Sequence, residues 1–121
     1  MLFRSRTVER YGLLDETLRA AGRDPQTLVH SAMVGTLIGA TEAEYAQRAD
    51  AICEAFEIEP EKRAEFLAGR RERWIVGTPD EARAMARRYA EAGVERLMLQ
   101  DFLPWDLEMI DLMGTELIGQ V

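Results

Sequence analysis

The segment Trp74–Glu81, WIVGTPDE, carries residue types that could bind an anion. It combines a strand end, a glycine and a helix start, an arrangement that often places a phosphate on a helix N-terminus. Asp80 and Glu81 already place negative charge at that position, and the chain contains neither G-x-G-x-x-G nor G-x-x-x-x-G-K-[ST]. These local residues alone therefore do not indicate a nucleotide site.

Helix capping explains the same segment completely. Thr78 suits the N-cap and Pro79 the first helical position, where a missing N–H costs nothing. Asp80 and Glu81 complement the positive end of the helix, and Glu81 can close a capping box with Thr78. Gly93 is positioned to end this helix.

Metal-ligating and nucleophilic residues are sparse. The chain has one cysteine, Cys53, and one histidine, His30, so we expect no intrachain disulfide and no metal site. Cys53 lies at an apolar helical position and is predicted to belong to the core. His30 lies at the start of a predicted strand, at the end opposite the carboxyl edge, so no catalytic role is expected. Trp74 and Trp105 are predicted to be packing residues.

Composition and charge narrow the function classes. The chain has 121 residues, of which 47% are hydrophobic, and a net charge of -7, which fits one domain. Nucleic acids and anionic membranes are not expected partners, because both attract clustered Lys and Arg. The first ten residues lack an apolar segment after their arginines, so we expect no signal peptide and a cytoplasmic location.

Hydrophobic spacing predicts the elements that position these residues. Val8, Tyr11, Leu14 and Leu18 recur at helical spacing, and the apolar stretch from Leu28 favours a strand buried on both faces. Thr41 with Glu44 forms a capping-box pattern. The element order is α, β, α, α, α, β, α, with strands at 28–36 and 94–100 and parallel pairing between them. Two parallel strands make a poor sheet, so further strands must come from a partner chain or from a larger α/β protein.

Several segments in order resemble one family. These are GRDP, SAMVGTLIGATEAEY and RRERWIVGTPDEARAMARRYAEAGVERLMLQDF. The chain from about Val8 onward resembles the C-terminal part of the luciferase-like monooxygenases, and most closely the members that use the deazaflavin coenzyme F-420. Residues 1–5 fit no part of the family pattern.

The resemblance implies the C-terminal fragment of a (β/α)8 TIM barrel, with 28–35 as strand seven, 94–100 as strand eight and 6–21 as the preceding helix. It implies an oxidoreductase, either a monooxygenase or a coenzyme F-420-dependent dehydrogenase or reductase, with coenzyme F-420 or FMN as cofactor and a small-molecule substrate. Because about six strands would be missing, we expect the fragment to be inactive by itself. A homo-oligomer is compatible with this interpretation.

Barrel active sites lie at the carboxyl ends of the strands. That rule nominates Val34, Gly35 and Thr36 after the first strand, Gln100 and Asp101 after the second, and the helix start at Gly77 and Thr78. From this set the predicted cofactor-binding residues are Thr36, Gly77, Thr78, Gln100 and Asp101. The catalytic residues are not predicted.

Simpler roles stay open for these positions. In the simpler interpretation, Gln100 and Asp101 serve only to turn the chain toward FLPWDLE, and Asp106 caps the last helix. Arg70, Arg71 and Arg73 could approach an acidic cofactor tail or form a solvated helix face. For the chain as a whole, the alternative is a non-catalytic α/β interaction module that assembles through its exposed sheet edges.

Overall fold

The computed structural model describes residues 2–121, with side chains from Ser5 onward. Within that range the fold is mixed α/β, as predicted, with five α-helices and three parallel strands. The helices are α1 (Leu2–Ala20), α2 (Glu42–Ala55), α3 (Arg63–Arg71), α4 (Pro79–Glu91) and α5 (Leu107–Glu116). The strands are β1 (Ser31–Ile38), β2 (Ile75–Gly77) and β3 (Arg96–Asp101), and two short 3-10 turns lie at Pro25–Thr27 and Pro60–Lys62.

The described strands form one sheet in the order β2-β1-β3. β3 pairs with β1 in register along Ser31–Thr36, whereas β2 pairs with β1 only along Thr36–Ile38. The prediction of about two strands was therefore wrong, because β2 is a third strand. β2 has only three residues, too few to show a period in the sequence.

The predicted strand limits also shift. The first strand was placed at 28–36, but β1 runs from Ser31 to Ile38. Asp24 caps the 3-10 turn by accepting the backbone N–H of Gln26, which delays the entry into the sheet. The second strand was placed at 94–100, but β3 runs from Arg96 to Asp101, after the turn at Gly93, which has φ 102°.

Side chains start three of the helices as the sequence predicts. Thr41 accepts the N–H of Glu44 at the start of α2, and Asp106 accepts the N–H of Met109 at the start of α5. Thr78 and Glu81 form the predicted capping box of α4. These caps satisfy backbone donors that have no partner inside a helix.

The core lies between the sheet and α2, α4 and α5, and its largest fully buried side chains include Leu37, Ile38, Ile52, Ile75, Leu103, Met109 and Cys53. Cys53 is therefore a core residue, as predicted. Trp105 is 67% exposed, so the packing role predicted for it was wrong. Trp74, in contrast, is half-buried against the core.

Helix α1 turns two of its four predicted apolar positions inward, Tyr11 and Leu18. Leu18 is buried, and Thr7, Tyr11 and Asp15 are half-buried, whereas Val8 and Leu14 are exposed. The inward residues follow helical spacing, and two of them bind polar partners: Tyr11 donates to the carbonyl of Ser31, and Asp15 contacts His30. Apolar spacing alone could not show which side faces the sheet.

One face of the sheet is uncovered near the start of β1. Met33 and Met98 are register partners on β1 and β3, so their side chains lie on the same face, and they are 63% and 40% exposed. Their neighbours along that face, Ser31, Arg96 and Gln100, are also exposed. Among residues 2–121, no strand pairs with the outer edge of β3.

Two further features are the N-terminal segment and the apolar length of the helices. Of the segment 1–5, Met1 lies outside the described residues, and α1 already begins at Leu2. No helix in the described range is long and apolar enough to cross a bilayer.

Candidate functional site

The predicted site residues lie toward the carboxyl ends of the three strands. Thr36 on β1 is the register partner of Asp101 on β3 and of Ile75 on β2. Gly77 pairs with Ile38, and Thr78 follows it as the N-cap of α4. Parallel pairing places these positions on one rim although they are far apart in the sequence.

Thr36 has no group available for a ligand in this arrangement. Its side chain is fully buried, and its hydroxyl donates to the carbonyl of Val34 at 3.3 Å. Thr36 therefore contributes to the floor of the rim and to its packing.

Gly77 and Thr78 are occupied by the helix start. Glu81 Oε1 accepts both the backbone N–H and the hydroxyl of Thr78, each at 3.1 Å. A Cβ on Gly77 would lie 2.7 Å from the same oxygen, and Gly77 has φ 103°, which favours glycine. The carboxylate of Glu81 thus fills the space where an anion would bind.

A second carboxylate and an arginine surround Glu81. Its pKa is lowered, chiefly by the hydrogen bond from the backbone of Thr78, while a hydrogen bond with Glu81 raises the pKa of Glu42. Arg71 donates to Glu81 Oε2 at 2.8 Å, and its guanidinium lies 5.1 Å from the ring centre of Tyr45. Arg71 is therefore engaged by a carboxylate of the chain itself, which weakens the prediction that it meets an acidic cofactor tail.

Asp101 retains one oxygen with no partner. Its Oδ1 accepts the N–H of Leu103 at 2.8 Å, which turns the chain after β3, as the simpler interpretation expected. Its Oδ2 is buried and finds no hydrogen-bond partner among the described residues. Because buried polar groups are normally paired, this oxygen is the least satisfied acceptor on the rim.

Arg70 Nε is a buried donor that also has no hydrogen-bond partner among the described residues. The guanidinium of Arg70 lies 4.3 Å from the ring centre of Phe66 and 5.3 Å from that of Trp74. Trp74 in turn stacks on Phe102, the residue after Asp101, with ring centres 5.0 Å apart. The unpaired donor therefore belongs to a residue that packs against Trp74, and the unpaired acceptor belongs to the residue that precedes Phe102 in the chain.

Gly35 makes room for that stack. A Cβ at Gly35 would lie 2.3 Å from the indole ring of Trp74. Phe56 extends the cluster through edge-to-face contacts with Phe66 and Phe102, with ring centres 5.7 and 5.3 Å apart. Aromatic side chains thus cover the carboxyl end of this sheet face, whereas its amino end, at Met33 and Met98, is exposed.

The sequence analysis did not single out Arg48, whose hydrogen bonds join β1, α2 and the start of α5. Arg48 is 5% exposed; it donates to the carbonyl of Ile38 at 3.1 Å, to Asp106 Oδ2 at 2.8 Å, and to Glu44. The hydrogen bond from Arg48 is the main cause that lowers the pKa of Asp106. The available signal was an arginine between Ala46 and Ala49, four residues after Glu44, inside an apolar stripe.

Two cavities lie away from the rim. One of about 280 Å³ is lined mainly by apolar residues of α4, β3 and the C-terminal end of the chain, among them Ala86, Tyr89, Leu97, Leu99 and Leu117. A shallow second one lies around residues 57–66. Neither is lined by a predicted site residue, so the rim is identified here by its unpaired polar atoms. No group of three or more potential metal ligands occurs in the described range.

Comparison with known proteins adds no relative: no family model, no curated protein and no solved structure matches this chain.

Proposed function

We propose that the chain is the C-terminal part of a flavin- or deazaflavin-dependent oxidoreductase of the luciferase-like type, and that its carboxyl rim contacts the cofactor. The observation that carries the proposal is the buried, unpaired Oδ2 of Asp101 at the end of β3. In parallel α/β proteins, ligands bind beyond the carboxyl ends of the strands.

The chemistry of the rim selects which part of a cofactor would bind. A carboxylate oxygen accepts hydrogen bonds and repels phosphate, so Asp101 fits a ribityl hydroxyl or a ring N–H. Arg70 Nε supplies a donor beyond the Trp74–Phe102 stack, and it fits a ring carbonyl. FMN and coenzyme F-420 both carry such donors and acceptors on a planar ring system.

Within such an enzyme, the protein would hold the cofactor and exclude water. The cofactor itself supplies the hydride or oxygen chemistry. Trp74 and Phe102 contribute apolar surface beside the ring, and Asp101 fixes its orientation. The substrate is a small molecule that reaches the cofactor from parts of the barrel outside this chain, so the chain alone is expected to bind and not to turn over.

The test is a binding titration of the chain with FMN and with coenzyme F-420, followed by absorbance and fluorescence. Asp101→Asn keeps the acceptor for Leu103 but turns Oδ2 into a donor, so we expect it to weaken binding at least tenfold, about 1.4 kcal/mol. Asp111→Asn, at an exposed carboxylate on α5, is the matched control and should bind as the unaltered chain does. Equal binding by all three proteins, or by none, would refute the proposal.

The alternative function is a non-catalytic interaction module, and the uncovered face favours it. Exposed apolar residues that adjoin an unpaired strand edge are typical of protein contact surfaces. Under this alternative, replacing Met33 and Met98 by serine would abolish self-association in sedimentation experiments. A chain that is monomeric before and after the replacement contradicts assembly through this face.

A further inference from the structure

The cavity of about 280 Å³ lies between α4, β3 and the residues that follow α5. Its inner part is formed by buried side chains, namely Ile75, Ala86, Tyr89, Val94 and Leu117. The hydroxyl of Tyr89 is already engaged, because it donates to the carbonyl of Arg73. The inner part of the cavity therefore offers mainly apolar contact to a ligand.

Two alanines of α4 leave this space open. Ala86 and Ala90 are one helical turn apart, and side chains four residues apart in a helix lie on the same face. Both alanines line the cavity, and Leu97 and Leu99 of β3 line it as well. The methyl groups on the helix are too short to close the gap between these elements.

The third wall is held in place by Arg83. Its guanidinium donates to the carbonyl of Glu116 at 3.2 Å and to the carboxylate of the same residue at 2.8 Å, which joins α4 to the end of α5. Gly119, with φ 75°, then turns the chain, and Val121 also lines the cavity. Because these walls are already joined, a ligand pays little for arranging them.

The mouth of the cavity is formed by the lining residues that are exposed, which include Ala90, Glu95, Ile118 and Val121. Among the described residues that line the cavity, Glu95 alone belongs to the charged types Asp, Glu, Lys and Arg. Its Oε1 accepts the backbone N–H of His30 at 3.1 Å, and 59% of its side chain is exposed. A carboxylate beside an apolar opening attracts a cation and repels an anion.

The volume sets the size of the apolar group that fits. An apolar cavity of about 150 Å³ holds one benzene molecule. The cavity of about 280 Å³ therefore accepts a hydrocarbon group of roughly twice that size. It lies below the range of about 300 to 1,000 Å³ in which drug-sized ligands bind, so it is too small for a whole flavin cofactor.

We propose that this cavity binds a small amphipathic amine, with its alkyl chain between α4 and β3 and its ammonium group beside Glu95. The apolar inner part favours hydrocarbon, the carboxylate at the mouth favours a cation, and the volume limits the chain to medium length. The predicted cofactor-binding residues do not line this cavity, so the proposal does not depend on the proposed function.

The test is a titration of the ¹⁵N-labelled chain with octylamine at pH 7, followed through the backbone amide shifts. We expect saturable binding with the largest shifts in residues 94–99 and 117–121. Octanoate has the same length and the opposite charge, and it should bind about fivefold less tightly because Glu95 repels it. Octanoate binding as tight as that of octylamine, or octylamine shifts spread over the whole acidic surface, overturns the proposal.

Two variants of α4 separate the cavity from the rest of the surface. Ala90→Leu fills the mouth, and we expect it to weaken octylamine binding about tenfold, which corresponds to about two methylene groups left in water. Ala84→Leu is the matched control, because Ala84 is exposed on the same helix and does not line the cavity. It should bind as the unaltered chain does. Equal affinities of the two variants overturn the proposal.

Glu95→Gln tests the position of the ammonium group, and it decides the matter if Ala90→Leu does not fold. Glutamine keeps an acceptor for the N–H of His30 but removes the charge. We expect the affinity for octylamine to fall about threefold and the affinity for neutral octanol to stay the same. An unchanged affinity for octylamine, or an equal loss for both ligands, contradicts the placement of the ammonium group beside Glu95.

Discussion

The two halves of β1 differ in how completely this chain surrounds them. From Val34 to Ile38 every residue is buried, whereas Ser31 and Met33 are exposed and Ala32 is half-buried. At Thr36 the strand has neighbours on both sides, β2 and β3, but before Thr36 only β3 pairs with it. The carboxyl half is buried within an α/β core, whereas the amino half presents a face that nothing in the described range covers.

This difference separates the part of the sheet that stabilises the fold from the part that stays open to solvent. The carboxyl half is held by the buried Arg48, by helix caps and by stacked aromatic rings, and it supplies stability. The uncovered face of the amino half contributes little burial and is available for contact. Substitutions in the two halves should therefore have very different effects on the free energy of unfolding.

The largest contrast is expected between Leu37→Ala and Met33→Ala. Leu37 is 1% exposed, and its truncation should lower the free energy of unfolding by about 3 kcal/mol through lost burial and a new cavity. Met33 is mostly exposed, so its truncation should change the free energy by less than about 0.5 kcal/mol. Urea unfolding of both variants measures the two values, and similar values would mean that the amino half is covered in solution.

Arg48→Met should have the next largest effect. It leaves the carbonyl of Ile38 and the carboxylates of Glu44 and Asp106 without their shared donor, and we expect a loss of about 2 to 3 kcal/mol. Gln47→Ala, at an exposed neighbouring position on α2, is the control and should change stability by less than about 0.5 kcal/mol. A neutral Arg48→Met variant would show that the network does not hold the carboxyl half.

Gly35→Ala should be destabilising by about 1 to 3 kcal/mol, because its Cβ would lie 2.3 Å from the ring of Trp74. Since the ring must move, the fluorescence and near-ultraviolet circular dichroism of the protein should change as well. Gly114→Ala is the control, and its expected effect on the free energy of unfolding has the opposite sign. Its Cβ meets nothing within 4 Å in α5, so alanine should stabilise the helix by up to about 1 kcal/mol.

The smallest expected effect is a pH dependence from Asp106. The hydrogen bond from Arg48 lowers the pKa of this carboxyl in the folded protein, so its contribution to stability is present above the unfolded value of about 3.9. The contribution is lost as the pH falls through the lower, folded value. Urea midpoints measured from pH 6 to pH 3 should therefore fall less in Asp106→Asn than in the unaltered protein. Parallel curves would contradict the pairing.

The sequence predictions that proved correct depend on interactions between residues close together in the chain. Helix caps at Thr41, Thr78 and Asp106 depend on neighbouring residues, and Cys53 lies in a clear apolar stripe, so both are visible in the sequence. WIVG was interpreted as a strand end, but β2 was left out of the predicted element order because three residues show no period. It forms a strand because β1 lies beside it. The inward side of α1 was predicted only in part, at Tyr11 and Leu18, because Asp15 also faces inward, where it contacts His30 on another element.

The candidate site shows the same limit. Parallel strand ends predict which residues share a rim, and Thr36 and Asp101 are indeed register partners. The sequence could not show that Glu81 closes the helix start at Gly77 or that one oxygen of Asp101 stays unpaired, because both depend on side-chain geometry. Arg48 was overlooked because an arginine in a helix is usually exposed.

The most direct test of the proposed cofactor rim is to locate the contact by NMR. FMN or coenzyme F-420 is added to the ¹⁵N-labelled chain, and shifts of the backbone amides and of the tryptophan indole N–H signals are followed. The account predicts that the largest shifts occur at Asp101, Phe102 and the indole of Trp74, with little change around Leu97 and Leu117 in the apolar cavity. Shifts centred on that cavity, or no shifts with either cofactor, would contradict it.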